Sequence, residues 1–311
     1  AVAVLVRSMV DLATTELGLD ATVERLGGYT TLRNAGDAQS LCNRLLTCVY
    51  QATRNSGEVT RTAAKKLAEG LGAQFHEFDV DSVVESYRAM TESALGRKLT
   101  WERDDIALQN IQSRVRAPSV WMLANTQGAL LLSTSNRSEA AVGYATMDGD
   151  TSGGLAPIAG IDKAFIRRWL RFMETDGGHG LPPRAALSAV NAQAPTAELR
   201  PSSENQTDEA DLMPYDVLDA IEGLAIRDKH FPLEVFSKLR AERPEASPQQ
   251  LVDWIERFFS LWSRNQWKRE RYAPSFHVDD KNLDPKTWCR FPILSAGFRE
   301  ELDALRKEIE G

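Results

Sequence analysis

Short apolar segments alternate with segments of helical periodicity in the first half of the chain, and this alternation constrains the fold more than any other feature. Residues 45–50, 74–80 and 130–134 have the length and apolar content of buried strands. Residues 56–71 and 105–126 have the spacing of amphipathic helices. A strand–helix–strand order needs a crossover connection, which favours a parallel sheet with helices on both faces. We therefore predict an α/β fold with a parallel, doubly wound sheet.

The C-terminal half has a different composition. Residues 197–214 are polar, acidic and contain proline, which predicts a mobile loop. Residues 215–311 show mostly helical periodicity and predict a helical C-terminal extension, in which Ser247 is placed to cap an apolar helix. We treat residues 1–311 as one domain that includes this loop and this extension.

Charge and cysteine content exclude some classes of partner. The net charge of −7 argues against a nucleic acid held by a broad basic surface. No apolar run reaches the length of a membrane span, so we expect no membrane partner. The three cysteines are an odd number without metal-like spacing, which favours a reducing, cytoplasmic location.

The stretch from 133 to 163, STSNRSEAAVGYATMDGDTSGGLAPIAGIDK, carries the chemistry. It begins where the third predicted strand ends, and open α/β sheets bind ligands beyond the carboxyl ends of their strands. Thr134 offers a hydroxyl there, and Glu139 and Asp150 follow on a glycine-rich segment. Two carboxylates that leave one strand end predict a site that binds Mg²⁺ or handles protons.

This stretch resembles the central motif of NAD synthetases, which are N-type ATP pyrophosphatases. Thr134, Glu139, Asp150 and Lys163 match the motif spacing without a gap. The resemblance implies an adenine nucleotide alpha hydrolase-like fold. The ammonia-dependent branch has Lys and Asp where this chain has Met147 and Gly154, so the resemblance points to the glutamine-dependent branch.

Other segments extend the resemblance. Asn110 and Arg114, in QNIQSR, match the helix with which the family binds nicotinic acid adenine dinucleotide (deamido-NAD). Thr196, in PTAEL, lies in a segment similar to the loop that orders over ATP. Lys268, in WKR, matches a basic motif whose lysine contacts deamido-NAD, although this match is weaker.

The resemblance implies ATP-dependent amidation of deamido-NAD to NAD through an acyl-adenylate, with release of AMP and pyrophosphate. Glu139 would bind Mg²⁺ or position substrate, and Asp150 would orient or deprotonate the incoming ammonium. Thr134, Lys163 and Thr196 would contact ATP. Asn110, Arg114 and Lys268 would hold deamido-NAD. The nitrogen donor, glutamine or free ammonia, stays open, and the family implies a homodimer.

The family's phosphate loop, Ser-Gly-Gly-x-Asp-Ser, does not occur in the chain. Because residues 1–16 resemble the helix that should follow this loop, we expect the first strand and the loop to precede Ala1. A nitrilase-type amidase domain would lie further upstream in the full-length chain. Two alternatives remain, another PP-loop ATP pyrophosphatase such as the synthetase half of GMP synthetase, and a non-catalytic module without the loop.

Several of these residues also have ordinary structural interpretations. Arg114 could lie on a solvated helix face, and Lys163 could be a first-turn residue of a helix. Thr134 could cap the turn after its strand, and Lys268 could be a surface residue. Glu139 and Asp150 could be solvated charges, although their spacing favours the functional interpretation.

Overall fold

The computed structural model describes residues 1–201 and 207–310, which group into two units. Unit 1 comprises Ala1–Val120 and Ile166–Gln206, and unit 2 comprises Trp121–Phe165 and Thr207–Gly311. Each unit is therefore built from two separate stretches of the chain. The prediction of a single domain with a C-terminal extension at 215–311 stays a prediction.

Helices dominate the described residues. In chain order they are α1 Val2–Leu17, α2 Leu19–Arg25, α3 Thr30–Arg33, α4 Ala38–Leu45, α5 Glu58–Leu71, α6 Asp81–Leu95, α7 Trp101–Arg114, α8 Arg116–Gln127, α9 Arg137–Val142, α10 Lys163–Thr175, α11 Ser188–Asn191, α12 Asp208–Asp211, α13 Tyr215–Glu222, α14 Pro232–Glu242, α15 Pro248–Arg264, α16 Gln266–Arg269 and α17 Arg299–Glu310. A 3-10 turn at Ala185–Leu187 and a π-helical turn at Gly223–Arg227 complete the helical elements. In the part of the chain that the structure describes, no helix combines the length and apolar content needed to cross a bilayer.

The parallel sheet lies in unit 1. Strand β1 (Thr47–Ala52) pairs in parallel with β2 (Gln74–Asp79), in a register that runs from Thr47 opposite Gln74 to Ala52 opposite Asp79. Helix α5 makes the crossover between them and ends at Gly72, whose φ of 74° is the left-handed conformation that glycine adopts at low cost. The predicted strand–helix–strand unit and its α/β class are confirmed.

The third predicted strand, at 130–134, is wrong as a member of this sheet. Among the described residues, this segment forms only an isolated parallel bridge in unit 2, between Leu132 and Leu155. The Ser133 N–H donates to the Leu155 carbonyl at 2.8 Å, and a Cβ on Gly153 would lie 2.7 Å from the Ser133 nitrogen. The backbone of residues 130–134 therefore hydrogen-bonds to the glycine-rich part of the motif and not to a neighbouring strand.

The single long helix predicted at 105–126 is also corrected. The structure has α7 and α8 with a break at Val115, and α7 begins earlier, with non-helical dihedrals at Asp104. Pro118 explains the break, because proline has no N–H to donate to the Arg114 carbonyl and its ring crowds the preceding turn. The break fixes where α7, which carries Asn110, ends.

Unit 2 has the larger apolar core. Helix α15 begins at Ser247, whose hydroxyl oxygen accepts from the Gln250 N–H at 3.2 Å, as predicted. The fully buried or nearly buried apolar side chains of this core include Ala140, Ala141, Val142, Leu218, Ile221, Leu251, Ile255, Phe258 and Trp262. Burying a large apolar side chain contributes about 1.5–3 kcal/mol. The short helix α9 of the motif is thus anchored in this core by one face.

Candidate active site

The helix α9 places Glu139 at its third position. Asn136 caps this helix, since its side-chain oxygen accepts from the Glu139 N–H at 3.1 Å. The Asn136 N–H reaches back to Glu139 Oε2 at 3.4 Å, which completes a capping box. A six-residue helix would be unstable alone, so the cap and the buried alanines hold Glu139 in place.

Lys163, the first residue of α10, lies against this carboxylate. Its Nζ donates to Glu139 Oε1 at 2.7 Å, and both side chains are largely buried. The structure therefore brings together two motif residues that are 24 positions apart. A buried ammonium beside a carboxylate can share that oxygen with a metal ion or turn to a phosphate.

Two further side chains surround the Lys163 ammonium. Asp208 Oδ2 lies 3.9 Å from Nζ, and the Tyr215 ring centroid lies 5.5 Å from it. The Tyr215 hydroxyl donates to Asp208 Oδ2 at 2.9 Å. Burial raises the pKa of Asp208, and the Lys163 charge opposes this rise. Sequence reasoning missed both residues as neighbours of Lys163, although the sequence DEADLMPY places a carboxylate and a phenol close together.

Asp150 closes a turn in the glycine-rich part of the motif. Its Oδ2 accepts from the Thr146 N–H at 2.6 Å, and its backbone carbonyl accepts from the Ser133 and Ser135 hydroxyls, each at 3.1 Å. The residue itself is exposed. The turn is therefore tied to the segment that contains Thr134 while the carboxylate remains accessible to a ligand.

A buried network of charges lies behind α9. The Arg137 guanidinium donates to Asp162 at 2.7 Å and to Asp279 at 2.5 and 2.7 Å, and Lys281 also pairs with Asp162. Glu222 lies 3.4 Å from Arg137 and is 0% exposed. Burial raises the pKa of Glu222, and the charge of Asp162 raises it further.

Among residues 1–201 and 207–310, one group of carboxylates has metal-like geometry, formed by Asp162, Asp219 and Glu222. Arg137 and Lys281 already contact Asp162 and supply two positive charges. Two cations on one carboxylate offset the negative charge that would attract a metal ion, whereas Glu139 has a single cation on one of its oxygens. We therefore interpret the group as an ion-pair network that supports the motif.

Two further predicted site residues, Thr134 and Lys268, also belong to unit 2. Thr134 is exposed at the start of the motif. The Lys268 Nζ donates to the Gly143 carbonyl at 2.7 Å and to the Ala145 carbonyl at 2.9 Å, so it holds the backbone after α9. Asn265 supports the same turn by donating to the Val142 carbonyl at 2.8 Å.

Three predicted site residues, Asn110, Arg114 and Thr196, belong to unit 1. On α7, Asn110 is half-buried and Arg114 is exposed. The Thr196 hydroxyl accepts from the Glu198 N–H at 3.3 Å. The structure does not join these residues to Glu139 and Lys163 within one unit, and their ligand contacts stay predictions.

A neutral network in unit 1 holds the segment after Thr196. The Gln112 amide is buried and donates to the Leu199 carbonyl at 2.7 Å. Its oxygen accepts from Thr53 at 3.1 Å and from Asn55 at 2.9 Å, at the end of β1. Part of the predicted mobile loop at 197–214, residues 202–206, lies outside the described residues.

Comparison with known proteins identifies relatives over most of the chain. The family model described as NAD synthase matches residues 34–271. The chain is 31% identical to the glutamine-dependent NAD(+) synthetase of Homo sapiens over 277 residues, which cover 83% of this chain and 38% of that protein. It is 32% identical over 251 residues to the enzyme of the same name from Aquifex aeolicus, covering 81% of this chain and 40% of that protein.

A solved structure also resembles the chain closely. The glutamine-dependent NAD(+) synthetase from Cytophaga hutchinsonii has a TM-score of 0.84 and 46% identity, and the match covers 97% of this chain and 49% of that chain. This likeness confirms the α/β fold of adenine nucleotide alpha hydrolase-like type. The chain spans less than half the length of each of these relatives.

Proposed function

Because the chain belongs to the NAD synthase family, we propose that it carries out the ATP-dependent amidation of deamido-NAD to NAD. The nicotinate carboxylate attacks the α-phosphate of ATP, which releases pyrophosphate and gives an acyl-adenylate. Ammonia then displaces AMP and gives the amide. The pair formed by Lys163 and Glu139 at 2.7 Å is the observation that carries the proposal, because it supplies a cation and a hard oxygen ligand at one point.

Lys163 acts in the first step. Negative charge develops on phosphate oxygens when the carboxylate attacks, and a preorganised ammonium in a partly buried site stabilises that charge more strongly than water does. The ammonium is held by Glu139 and by the Tyr215 ring until a phosphate arrives. Thr134 and Thr196 contribute hydroxyl contacts to ATP.

Mg²⁺ arrives with ATP as part of the substrate. Nucleotide-bound Mg²⁺ takes one or two carboxylates and completes its shell with phosphates and water. Glu139 fits this requirement, since the contact of its Oε2 with the Asn136 N–H is long, at 3.4 Å. Bound there, the ion would neutralise charge on the phosphates.

Asp150 acts in the second step. An exposed carboxylate next to the reacting carbonyl can hold an ammonium ion and accept one of its protons, and the ammonia so formed then attacks the carbonyl. The Thr146 N–H donates to Asp150 Oδ2 at 2.6 Å and thereby orients the carboxylate. Asn110, Arg114 and Lys268 hold deamido-NAD, whose pyrophosphate is recognised by cationic and amide donors.

We propose glutamine as the physiological nitrogen source, hydrolysed by an amidase domain that precedes this chain in the full-length protein. Met147 and Gly154 support this branch, since the resemblance gives the ammonia-dependent branch Lys and Asp there. We also propose a cytoplasmic homodimer, which sedimentation of the full-length protein and fractionation of its host cells would test.

The test is AMP and NAD formation by the full-length protein from ATP, Mg²⁺ and deamido-NAD, with ammonium or with glutamine. Lys163→Met should lower kcat/KM for ATP by on the order of 10²-fold, as removal of an electrostatic stabiliser does. Asp150→Asn should slow NAD formation while pyrophosphate–ATP exchange continues, because it affects only the second step. Lys65→Met, in the exposed face of α5, is the matched control.

Each other outcome points to an alternative. If AMP forms with xanthosine monophosphate and not with deamido-NAD, the chain is another PP-loop ligase. If no carboxylate or nucleotide substrate yields AMP, the chain is a non-catalytic module.

A further inference from the structure

The first turn of α10 is held by side chains from two other helices. The Lys163 N–H donates to Ser138 Oγ at 2.8 Å, and the Ala164 N–H donates to Asp219 Oδ2 at 3.1 Å. The Ser138 hydroxyl in turn donates to Asp219 Oδ1 at 2.5 Å. Two of the amides that a helix leaves unpaired at its start are thus satisfied by one serine and one carboxylate.

The hydrogen bonds among Ser138, Asp219 and the first turn of α10 link α9 to Lys163. Ser138 lies on α9 directly before Glu139, and its side chain is fully buried. Lys163 begins α10, so the Ser138 contact links the backbone positions of the two members of the ion pair. Hydrogen bonds that share atoms in this way strengthen one another in a buried setting.

The helix α13 contacts Lys163 and its surroundings at two points, the backbone at the start of α10 and the side-chain ammonium. Tyr215 and Asp219 are four positions apart and therefore share one helix face. Asp219 binds the backbone at the start of α10, and Tyr215 lies beneath the ammonium and holds Asp208 next to it. Leu218 and Ile221 of the same helix are fully buried in the core of unit 2, so α13 is a rigid support.

From this geometry we propose that Asp219 is a positioning residue, which acts through Ser138 and the first turn of α10 to keep the Lys163 ammonium on Glu139. The proposal rests on the function proposed above, in which Lys163 contacts ATP. Asp219 does not itself touch substrate.

The electrostatic surroundings agree with a functional role. Burial, together with the charge of Asp162, raises the pKa of Asp219 to about 6. A partly buried carboxylate among other carboxylates costs stability, and such groups are concentrated at functional sites. If the side chain at position 219 had only to fill space, an apolar residue there would give a more stable protein.

Trace acetylation tests the position of Lys163 without reference to activity. In the full-length protein, the labelling rate of Lys163 relative to Lys65 is measured by mass spectrometry. Asp219→Ala and Ser138→Ala should each raise this ratio several-fold, because the ammonium leaves Glu139 more often. Asp219→Asn, which keeps one acceptor, should give a smaller rise, and Asp216→Asn on the exposed face of α13 should give none.

Kinetics of the same variants test the functional consequence. Asp219→Ala should lower kcat/KM for ATP in pyrophosphate exchange by about 10-fold or more, and it should have no further effect in a Lys163→Ala background. A purely structural residue would add its loss in both backgrounds. Thermal unfolding of Asp219→Asn shows whether the folded state is retained.

The outcomes separate the two proposals. A labelling ratio that does not change in Asp219→Ala or Asp219→Asn overturns the positioning role, whatever the activity. A raised ratio with unchanged activity supports positioning and overturns the role of Lys163 in ATP binding. A raised ratio with a non-additive loss of activity supports both.

Discussion

Buried charges support the motif helix of unit 2, whereas neutral amides and hydroxyls support the strand-end segment of unit 1. Arg137 is 2% exposed and pairs with Asp162 and Asp279. Gln112 is 3% exposed and bonds to Thr53 and to the Leu199 carbonyl. Each network centres on one planar side chain that makes several hydrogen bonds. The Arg137 guanidinium is charged, whereas the Gln112 amide is neutral.

The two networks should therefore differ in how their contribution to stability depends on charge. A buried ion pair must offset the loss of hydration of every charge in it, so its contribution changes with protonation and falls sharply when one partner is removed. A neutral network has a smaller desolvation cost and does not titrate. We therefore expect the two units to respond differently to pH and to loss of their central side chains.

The largest effect should follow from Arg137→Met. This change keeps the bulk of the side chain and leaves Asp162, Asp279 and Glu222 without their shared cation, which should cost about 3–5 kcal/mol of the free energy of unfolding. Hydrogen exchange by mass spectrometry should show faster exchange in α9 and α13 than in β1. Equal acceleration in β1 would break the comparison between the units.

A pH effect should come next. Raising a carboxyl pKa from 3.8 to about 6, as burial and Asp162 do for Asp219, corresponds to about 3 kcal/mol. The protonated form is favoured in the folded state, so this stabilisation is fully present below about pH 4 and is lost as the pH rises through about 6. Denaturant unfolding between pH 4 and 6.5 should show a stability that falls as the pH rises, with a shallower slope for Asp219→Asn. An unchanged slope in this variant would exclude Asp219 as the titrating group.

A smaller loss, about 1–3 kcal/mol, is expected for Gln112→Leu, because the Leu199 carbonyl and the Thr53 hydroxyl lose a partner while no charge is exposed. The loss should be the same at pH 5 and pH 7.5, as measured by denaturant unfolding. Gln112→Glu sharpens this test, since it places a titrating group in the neutral network and should make the loss depend on pH. A pH-dependent loss in Gln112→Leu would contradict the neutral description.

The smallest effect is expected for Arg271→Met. Arg271 pairs with Asp148 at 2.7 Å, but its side chain is 57% exposed, and exposed pairs contribute about 0–1 kcal/mol. Thermal unfolding of this variant is the matched control for Arg137→Met, since both lose one guanidinium. A loss comparable to that of Arg137→Met would mean that burial does not distinguish the two sites.

Local features of the fold were predictable from the sequence. The parallel pair of β1 and β2 follows from two apolar runs joined by an amphipathic helix, and Gly72 marks the helix end through its backbone freedom. The run at 130–134 was apolar enough for a strand, but apolar content does not specify a pairing partner. Helical periodicity does not settle the burial of every apolar residue in α5 either, since Val59 is 68% exposed while Ala63 and Leu71 are buried.

The candidate site was predictable only in part. Spacing and family resemblance singled out Glu139 and Lys163, which the structure joins. The sequence around Asp219 and Arg137 did not indicate a role in the site. A carboxylate or a guanidinium in a predicted helix is common on solvent-exposed faces. Their burial depends on packing between segments that are distant in the chain, and the sequence of a single chain does not reveal that packing.

The passage of the chain between the units has a consequence for limited proteolysis. Unit 2 is assembled from 121–165 and from the stretch that begins at Thr207. A single cut between 166 and 200 would leave these pieces covalently separate, yet Ser138 would still bind Asp219, and Asn265 would still bind the Val142 carbonyl. The nicked protein should therefore elute as one species in native chromatography and separate into two fragments only in denaturant.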